Sequence, residues 1–355
     1  MKSVVLALAS NERYVPGLYC AIASALSHMA TERTVDVRVL DGGISQTSRD
    51  ILSRLAGRFG NSVRLKFISI DASIFRGATL GPGKSHMAYC RILLPRALDV
   101  PRALYLDCDV LVFRDLSKLF DLKLSSGKIL AAVHDSETPS LADDSPVVTD
   151  AMKLPAQGVY FNSGVMLIDL DELRKENFLE HSLEFLEIWS GRYRFWDQSA
   201  INFLLHDRID ALPEYWNRAS WQFDEQDNND LDCLLHYTSS APWLREIPGP
   251  AQALFEEFAW QAGLAVNRRT QEFRRSQHHW FWRNALAPVR AAAFSLASIL
   301  YKISGDWKKA ADYQNAARYW LDYVHNAPSR RRIHRRRIAE IQNMKFDVAP
   351  SEVEL

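Results

Sequence analysis

The chain has 355 residues, of which 47% are hydrophobic and 24% are charged, and its 43 basic residues balance its 43 acidic ones. This composition excludes a chain that is disordered throughout, and the length suffices for one large buried core with or without an appendage. No stretch reaches about 18 uninterrupted apolar residues, so the sequence predicts no membrane-spanning helix.

Buried strands and amphipathic helices alternate along the first part of the chain. The patterns predict, in chain order, a strand over residues 3–9, a helix over 17–29, a strand over 35–40, a helix over 45–59, and a strand over 63–70. There follow a helix over 86–97, strands over 103–106 and 129–133, a surface loop over 135–157, a strand over 159–169 interrupted at 162–164, a helix over 172–190, a strand over 234–237, and helices from about residue 248. Continuous apolar strands between amphipathic helices are typical of an α/β protein with a mostly parallel sheet covered on both faces. Ligands of such sheets bind beyond the carboxyl ends of the strands.

Several classes of protein lack support in the sequence. No G-x-G-x-x-G follows the first predicted strand and no Walker-type glycine-lysine loop occurs, which argues against a dinucleotide-dependent oxidoreductase and a P-loop NTPase. The four cysteines are scattered without a C-x-x-C pair, which is typical of a reducing compartment and favours a cytoplasmic protein. The N-terminal apolar run is short and soon meets charged residues, so it is interpreted as a buried first strand and not as a signal peptide.

The balanced net charge conceals two parts of opposite charge. Residues 268–337 contain 16 Lys and Arg residues against four acidic ones, whereas residues 1–267 contain 26 basic residues against 35 acidic ones. We therefore expect an α/β domain over residues 1–248, a basic and aromatic helical region over 249–337, and a tail over 338–355.

The most informative motif is an Asp-x-Asp at the end of a strongly apolar strand. Asp107 and Asp109 interrupt the apolar run of residues 103–112. Two carboxylates at the exit of a buried strand cost free energy unless a cation compensates them, and carboxylate oxygens suit hard divalent cations. Such a cation usually brings a phosphorylated ligand. Taken alone, the Asp-x-Asp motif could equally belong to an ordinary turn that binds no cation.

Four ordered segments together resemble the family 8 glycosyltransferases, which are retaining enzymes with a GT-A-type nucleotide-sugar fold. The segments are H-M-A-Y-C-R-I-L-L-P (86–95), L-Y-L-D-C-D-V-L-V (104–112), Y-F-N-S-G-V-M-L-I-D-L (160–170) with W-D-Q-S-A-I-N (196–202), and L-L-H-Y-T-S-S-A-P-W (234–243). The resemblance implies a GT-A-type, Rossmann-like, mostly parallel sheet, with the glycosyltransferase domain over residues 1–248. It also implies a UDP-sugar donor and a saccharide or glycolipid acceptor.

The resemblance further implies a metal site of three residues. Asp109 would bind the metal directly, Asp107 would also lie near the ribose, and His236 would be the third ligand. A lone histidine is more often a core residue, but His236 leaves an apolar run for a Ser/Thr-containing loop, where a ligand is expected. Because neutral imidazole beside carboxylates suits Mn²⁺ better than Mg²⁺, Mn²⁺ is the expected cofactor and Mg²⁺ the alternative.

Arg91 and the turn of Asn162, Ser163 and Gly164 are implied to contact the donor. Arg91 would bind the diphosphate or the sugar, because its planar fork of donors suits phosphate; a helix-surface charge is the alternative. The turn would contact the donor sugar, with Gly164 allowing the backbone to approach closely; a simple bulge is the alternative there.

Asp197 and Gln198 are the implied catalytic residues. Asp197 would grip sugar hydroxyls, and Gln198 would lie beneath the anomeric carbon. An amide is a poor nucleophile, so retention is easier to reconcile with a front-face mechanism in which the departing UDP phosphate accepts the proton of the acceptor. Gln198 would then stabilise oxocarbenium charge through its carbonyl oxygen.

The sequence departs from the family pattern at the positions expected near the base and near the diphosphate of the donor. Asn11 replaces an aspartate that usually meets uracil, although its carbonyl oxygen can still accept from the base. Tyr14 would stack on the base, or equally well pack in the core. Ser239, a predicted donor contact, and Ala241 stand where the family often has a glycine and a lysine near the diphosphate. Losing that lysine would weaken catalysis, which supports the alternative of a UDP-sugar-binding protein with weak or lost activity.

The basic region interleaves cations with tryptophan and phenylalanine. This composition favours an anionic membrane surface as the partner of residues 268–337 over nucleic acid, which is not expected; a solvated appendage or a dimer contact is the third interpretation. The sequence therefore predicts a cytoplasmic enzyme, peripheral to the inner face of the membrane. It would transfer galactose or glucose, with retention, from a UDP-sugar to a saccharide in lipopolysaccharide or another surface glycan. Glucan priming, as in glycogenin, lacks an identifiable self-glycosylated tyrosine.

Overall fold

The computed structural model describes residues 3–79, 86–225, 231–238, 241–244 and 250–265, together with scattered positions from 292 to 354. The chain divides into two units, one of residues 1–220 and 231–243 with residue 355, and one of residues 221–230 and 244–354. The expected division at residues 248 and 337 stays a prediction. Every residue of the candidate site described below belongs to the first unit.

Most strands of the first unit form one sheet. In chain order the strands are β1 (Val4–Ser10), β2 (Val35–Asp41), β3 (Val63–Ser69), β4 (Arg102–Leu106), β5 (Val110–Val112), β6 (Leu130–His134), β7 (Phe161–Asp169), β8 (Ile209–Leu212), β9 (Arg218–Ala219) and β10 (Leu234–His236). The large sheet has the order β3-β2-β1-β4-β7-β6-β8, and β5, β10 and β9 form a small one. In the large sheet only β7 runs antiparallel to its neighbours. The predicted mostly parallel α/β sheet is therefore confirmed.

Helices fill the connections between these strands. They are α1 (Val15–Ser27), α2 (Gln46–Gly57), α3 (Leu94–Ala97), α4 (Ser117–Phe120), α5 (Leu141–Asp144), α6 (Pro146–Ala151), α7 (Leu170–Lys175), α8 (Phe178–Ile188), α9 (Trp196–Leu205) and α10 (Ser220–Glu225); α11 (Pro250–Gln261) follows β10 and belongs to the second unit. Short 3-10 helices lie at Glu12–Tyr14, Gly60–Ser62, Ala72–Phe75, His86–Leu93 and Glu214–Trp216. In the second unit, β11 (Leu264–Ala265) pairs in parallel with β12 (Val353–Glu354).

The central strands are apolar because both of their faces are covered. All residues of β1 are buried, and so is β4 from Ala103 to Leu106. The edge strand β3 instead alternates exposed with partly exposed residues, as expected where one side of the sheet ends. The packed core thus extends to the ends of β1 and β4, and it gives the polar residues that follow them a rigid support.

The strand order points to the ends of β1 and β4 as the place of a ligand. The chain winds from β1 through β2 to β3 on one side and places β4 on the other, so the direction of winding reverses between β1 and β4. Open α/β sheets bind ligands at such a switch point. From β4 the chain passes through Asp107 and Asp109 into β5, and the antiparallel pairing of β10 with β5 sets His236 opposite Val110. The small sheet therefore carries His236 to the end of β4.

Three predicted elements were wrong in part. The helix predicted over 172–190 is two helices, α7 and α8, separated at Asn177, whose φ of 49° is left-handed. The loop predicted over 135–157 contains α5 and α6, which the side chains of Ser140 and Ser145 cap. The helix predicted over 86–97 begins as a 3-10 helix and becomes α-helical at Leu94. Hydrophobic periodicity does not report caps, single left-handed residues or the type of helix.

Candidate active site

Two carboxylates and an imidazole converge at the end of β4. One possible ligand atom from each of Asp107, Asp109 and His236 lies within 4.8 Å of the others, the one such group of three in the part of the chain that the structure describes. The Nε2 atom of His236 lies 3.3 Å from an oxygen of Asp109 and 3.8 Å from one of Asp107. Neighbouring ligands of an octahedral cation of this kind lie about 3 Å apart, so small movements would let the three side chains hold one. The structure thus brings the predicted metal ligands together.

His236 is oriented by a neighbour on its far side. Its Nδ1 atom lies 2.9 Å from Oδ1 of Asn217, and an amide oxygen only accepts, so Nδ1 carries a proton. In the neutral ring Nε2 then keeps its lone pair on the side of the carboxylates. Burial acts to lower the pKa of His236, but the carboxylates of Asp109 and Asp107 raise it overall.

Gly164 lies against this group where no side chain fits. A Cβ atom there would lie 2.2 Å from Cε1 of His236 and 2.9 Å from a carboxylate oxygen of Asp107. The N–H of Asp107 also donates to the carbonyl oxygen of Gly164 at 2.8 Å. The glycine therefore lets the backbone of β7 approach closely enough to fix Asp107.

Arg91 links the two carboxylates that flank it. Its guanidinium lies 3.2 Å from Asp107 and forms an ion pair with Asp197. It also donates to the carbonyl oxygen and the hydroxyl of Ser163, at 2.7 and 2.8 Å, and lies over the ring of Tyr105. Burial acts to lower the pKa of Arg91, but Asp107 and Asp197 raise it overall. Arg91 is thus a fixed positive charge beside the candidate metal site.

Asp197 is nearly completely buried at the start of α9, with 2% of its surface exposed. Burial raises the pKa of Asp197 to about 7, against the lowering effect of Arg91, and the charge of Asp107 adds to the rise. A carboxyl group with such a perturbed pKa, in contact with a cation, is typical of functional sites.

The turn that leads into α9 is held by hydrogen bonds. The N–H of Arg194 donates to the carboxylate of Asp144 at 2.7 Å, and the N–H of Phe195 donates to the hydroxyl of Ser199 at 3.0 Å. Trp196 has a φ of 50°, a left-handed conformation that costs about 1–2 kcal/mol for a residue other than glycine. These contacts fix the strained turn that sets the direction of the next two side chains.

Gln198 packs against an irregular part of β7. Its Oε1 atom accepts from the N–H of Ser163 at 3.0 Å and from the hydroxyl of Ser163 at 3.1 Å. The pairing of β6 with β7 shifts here, because Ala132 faces Met166 whereas Val133 faces Asn162. Such bulges redirect side chains beside functional sites. The predicted interruption at residues 162–164 is this shift in pairing.

The end of β1 offers groups suited to a planar ring. The Oδ1 atom of Asn11 is buried and has no hydrogen-bond partner among the described residues. Half-buried Tyr14 packs edge-on against Trp243, whose indole N–H donates to the carbonyl oxygen of Arg13 at 3.3 Å. An acceptor and two aromatic rings therefore lie where the nucleotide base is expected.

Ser239 lies outside the described residues. The other predicted site residues are placed at the end of β1 or linked by direct contacts around the end of β4. Asp135 and Asn217, which hydrogen-bond to predicted site residues, were not themselves predicted. Asp135 directly follows β6, and a polar residue after a buried strand is the signal that could have identified it. Nothing in the local sequence marks Asn217.

Most of residues 268–337 lie outside the described residues, so the structure adds little on the basic region. The described positions of this region between 292 and 303 are helical, and Leu296, Ile299, Leu300 and Ile303 are each more than half exposed. No described helix is both long enough and apolar enough to cross a membrane.

The sequence matches known proteins over most of the first unit. The family model named glycosyl transferase family 8 matches residues 5–246. General stress protein A of Bacillus subtilis is 30% identical over 217 residues, which cover 60% of this chain and 72% of that protein. Glycosyltransferase GlyB of Streptococcus pneumoniae is 30% identical over 175 residues, which cover 45% of this chain and 38% of that protein.

Solved structures of the same fold include two glycosyltransferases. The galactosyltransferase LgtC, in complex with donor and acceptor sugar analogues, aligns with a TM-score of 0.61 at 24% identity over 77% of this chain and 100% of LgtC. Glycosyltransferase GlyE of Streptococcus pneumoniae aligns with a TM-score of 0.55 at 22% identity over 73% of this chain and 61% of GlyE. At these identities the likeness speaks for the fold, and it confirms the expected GT-A-type, Rossmann-like sheet.

Proposed function

The chain belongs to glycosyl transferase family 8, and from this premise we propose that it transfers galactose or glucose from a UDP-sugar to a saccharide or glycolipid acceptor. The observation that carries the proposal is the group of Asp107, Asp109 and His236 at the end of β4, with Arg91 beside it. Such a group suits a divalent cation together with a diphosphate, as a nucleotide-sugar donor requires. The acceptor would belong to lipopolysaccharide or another surface glycan.

Asp107, Asp109 and His236 would hold Mn²⁺, with Mg²⁺ as the alternative. Two carboxylates and one imidazole nitrogen favour Mn²⁺, and Gly164 leaves the room that the ligands need. A bound cation supplies positive charge that stabilises the departing diphosphate. Arg91 offsets part of the negative charge of Asp107 and Asp197, and the cation would supply the further positive charge that phosphate oxygens require.

The donor would lie across the ends of β1, β4 and β7. Asn11 would accept from the N–H of uracil through its unpartnered oxygen, and Tyr14 would stack on the base. The turn of Asn162, Ser163 and Gly164 would contact the sugar through its backbone. Ser239 stays a predicted diphosphate contact.

We propose that the transfer proceeds with retention, by a front-face displacement. Gln198 is an amide, and Asp197 is buried in an ion pair with Arg91, so neither is well suited to attack the anomeric carbon. The acceptor oxygen would form its bond to that carbon on the face from which UDP departs. As the bond between the carbon and the UDP oxygen breaks, the leaving phosphate would take the proton of the acceptor hydroxyl. A covalent glycosyl adduct trapped on Asp197 would contradict this assignment.

Release of UDP from a panel of UDP-sugars tests the reaction. Initial rates are measured with Mn²⁺, with Mg²⁺ and with a chelator, in the presence of saccharide acceptors. We expect turnover of UDP-galactose or UDP-glucose with Mn²⁺ and its loss in Asp109→Asn. The control is Asp207→Asn, because that carboxylate is exposed and remote from β4 in sequence. Donor binding without turnover across the panel would instead favour a UDP-sugar-binding protein.

We further propose that residues 268–337 hold the protein at the inner face of an anionic membrane. This region carries 16 basic residues against four acidic ones. Its exposed aliphatic residues Leu296, Ile299, Leu300 and Ile303 recur at the spacing of one helix face. An apolar face among many cations is typical of helices that lie in the membrane interface.

Sedimentation of the full chain with vesicles tests this localisation. Binding is expected with phosphatidylglycerol present and not with phosphatidylcholine alone, and it should weaken in Ile303→Asp. Ile188→Asp is the matched control, because Ile188 is also more than half exposed and lies on α8 in the first unit. Binding to nucleic acid, with steep salt dependence and none to vesicles, would contradict the proposal.

A further inference from the structure

A series of hydrogen bonds runs from Asp135 to the candidate metal ligand His236. Oδ2 of Asp135 accepts from Nδ2 of Asn162 at 3.1 Å. Oδ1 of Asn162 accepts from Nδ2 of Asn217 at 2.8 Å, and Oδ1 of Asn217 accepts from Nδ1 of His236 at 2.9 Å. These hydrogen bonds connect four side chains in series. Asp135 follows β6, Asn162 lies in β7, Asn217 follows β8, and His236 lies in β10.

The direction of each bond in this line follows from the first residue. A carboxylate offers only acceptors, so Asn162 must turn its NH₂ group toward Asp135. The amide oxygen of Asn162 then faces the other way, where it also accepts from the N–H of Gly164 at 3.0 Å, and Asn217 must present its own NH₂ group. The oxygen of Asn217 is left for His236, whose proton must therefore be on Nδ1.

The same carboxylate orients Gln198. Oδ2 of Asp135 accepts from Nε2 of Gln198 at 3.1 Å, which turns the carbonyl oxygen of Gln198 toward the two donors of Ser163. One side chain thus sets the direction of two groups, the imidazole that faces the candidate metal site and the amide proposed to lie beneath the anomeric carbon.

An amide cannot take the place of this carboxylate. Oδ1 of Asp135 accepts from the backbone N–H groups of Glu137 and Thr138, each at 3.0 Å. Both oxygens of Asp135 therefore face donors only. In either orientation, an asparagine at this position would set its NH₂ group against other donors, so Asp135→Asn removes the directing group with little change in size.

We propose that Asp135 and Asn217 are positioning residues that hold an N–H at Nδ1 of His236, turn its Nε2 toward the cation, and point the carbonyl oxygen of Gln198 toward Ser163. The role toward the cation rests on the proposed metal site, whereas the hydrogen bond between Nδ1 of His236 and Asn217 is a property of the chain alone. Partners that orient a metal-binding histidine typically change metal affinity about 10–100-fold when they are removed.

The position of the proton can be measured in the full-length protein without metal. The ¹⁵N chemical shifts of the His236 ring, assigned with His236→Gln, distinguish a proton on Nδ1 from one on Nε2. We expect a hydrogen-bonded N–H at Nδ1 in the native protein, whether or not Nε2 also carries a proton, and its loss in Asn217→Leu. Asn61→Leu, an exposed site in the 3-10 helix Gly60–Ser62, should leave it unchanged. A hydrogen-bonded N–H at Nδ1 that persists in Asn217→Leu would overturn the proposal.

The affinity for Mn²⁺ gives a second readout. We expect Asn217→Leu to weaken binding at least about tenfold and Asp135→Asn to weaken it severalfold, with exposed Asp150→Asn as control. Because Asp135 acts through Asn217, the double variant should bind no worse than Asn217→Leu alone; losses that multiply would overturn the series. If Asn217→Leu does not fold, the same measurement is made on Asp135→Asn. A weakened N–H hydrogen bond at Nδ1 of His236 in that variant supports the proposal, and an unchanged one overturns it. A native protein that binds no Mn²⁺ would contradict the metal site, and the ring nitrogens would still decide the positioning.

Discussion

Replacing Gly164 with alanine would test how closely β7 packs on the candidate metal ligands. The new Cβ atom would lie 2.2 Å from Cε1 of His236 and 2.9 Å from an oxygen of Asp107. Carbon atoms in contact normally lie at least about 3.5 Å apart, so the imidazole or β7 must move by about 1 Å. Metal ligands tolerate errors of only about 0.2 Å. We therefore expect Gly164→Ala to weaken Mn²⁺ binding at least about tenfold and to lower the free energy of unfolding by about 1–3 kcal/mol.

Titration calorimetry with Mn²⁺ and unfolding in urea measure these two effects. Gly57→Ala is the matched control, because a Cβ atom at that position in α2 would meet nothing within 4 Å. Since alanine favours a helix over glycine by about 1 kcal/mol, the control should keep its Mn²⁺ affinity and be no less stable than the parent. A Gly164→Ala protein with the Mn²⁺ affinity and stability of the parent would refute the reasoning, because the extra methyl group would then fit without displacing a ligand.

Three further substitutions have defined outcomes in unfolding experiments. Arg91→Ala leaves the buried carboxylate of Asp197 without its cation and should cost about 3–5 kcal/mol, whereas exposed Arg96→Ala should cost little. Asp144→Ala removes the acceptor of the Tyr160 hydroxyl and of the Arg194 N–H in the turn before α9, and it should cost about 1–3 kcal/mol and slow turnover; unchanged values of both would contradict the role of these hydrogen bonds. Burial acts to raise the pKa of Glu12, but three hydrogen bonds from serines at the start of α2 lower it below the ordinary 4.5. Its stabilising contribution is therefore present above that pH and lost as the pH falls below it, so the stability difference between the native protein and Glu12→Gln should shrink on acidification. A stability difference between the two proteins that does not change with pH would contradict the lowered pKa of Glu12.

The sequence was most informative where function depends on a contiguous segment. The apolar strand that ends at Asp107 and Asp109 could be placed because burial makes a strand continuously hydrophobic and a charged pair interrupts it. Arg91 and Gln198 could be assigned through their motifs, and the structure joins both to Ser163. The strand pattern and the family resemblance together therefore predicted one edge of the sheet and most of the residues that meet there.

The parts that were missed depend on contacts between distant segments. Asn217 touches His236 only because β9 and β10 pair side by side, and no local pattern reports that register. The role of Asp135 depends on the shift in pairing between β6 and β7, which brings Asn162 to it. The break at Asn177 depends on one left-handed residue in an otherwise continuous helical pattern.

Transfer of a sugar to an acceptor tests the central claim most directly. The native protein is incubated with UDP-galactose or UDP-glucose, Mn²⁺ and a panel of saccharide and glycolipid acceptors, and the products are analysed by mass spectrometry. The account predicts an acceptor that gains one hexose, with an equal amount of UDP released, and no such product with chelator or in Asp109→Asn. Quantitative recovery of the intact UDP-sugar, bound but unreacted with every acceptor, would contradict it.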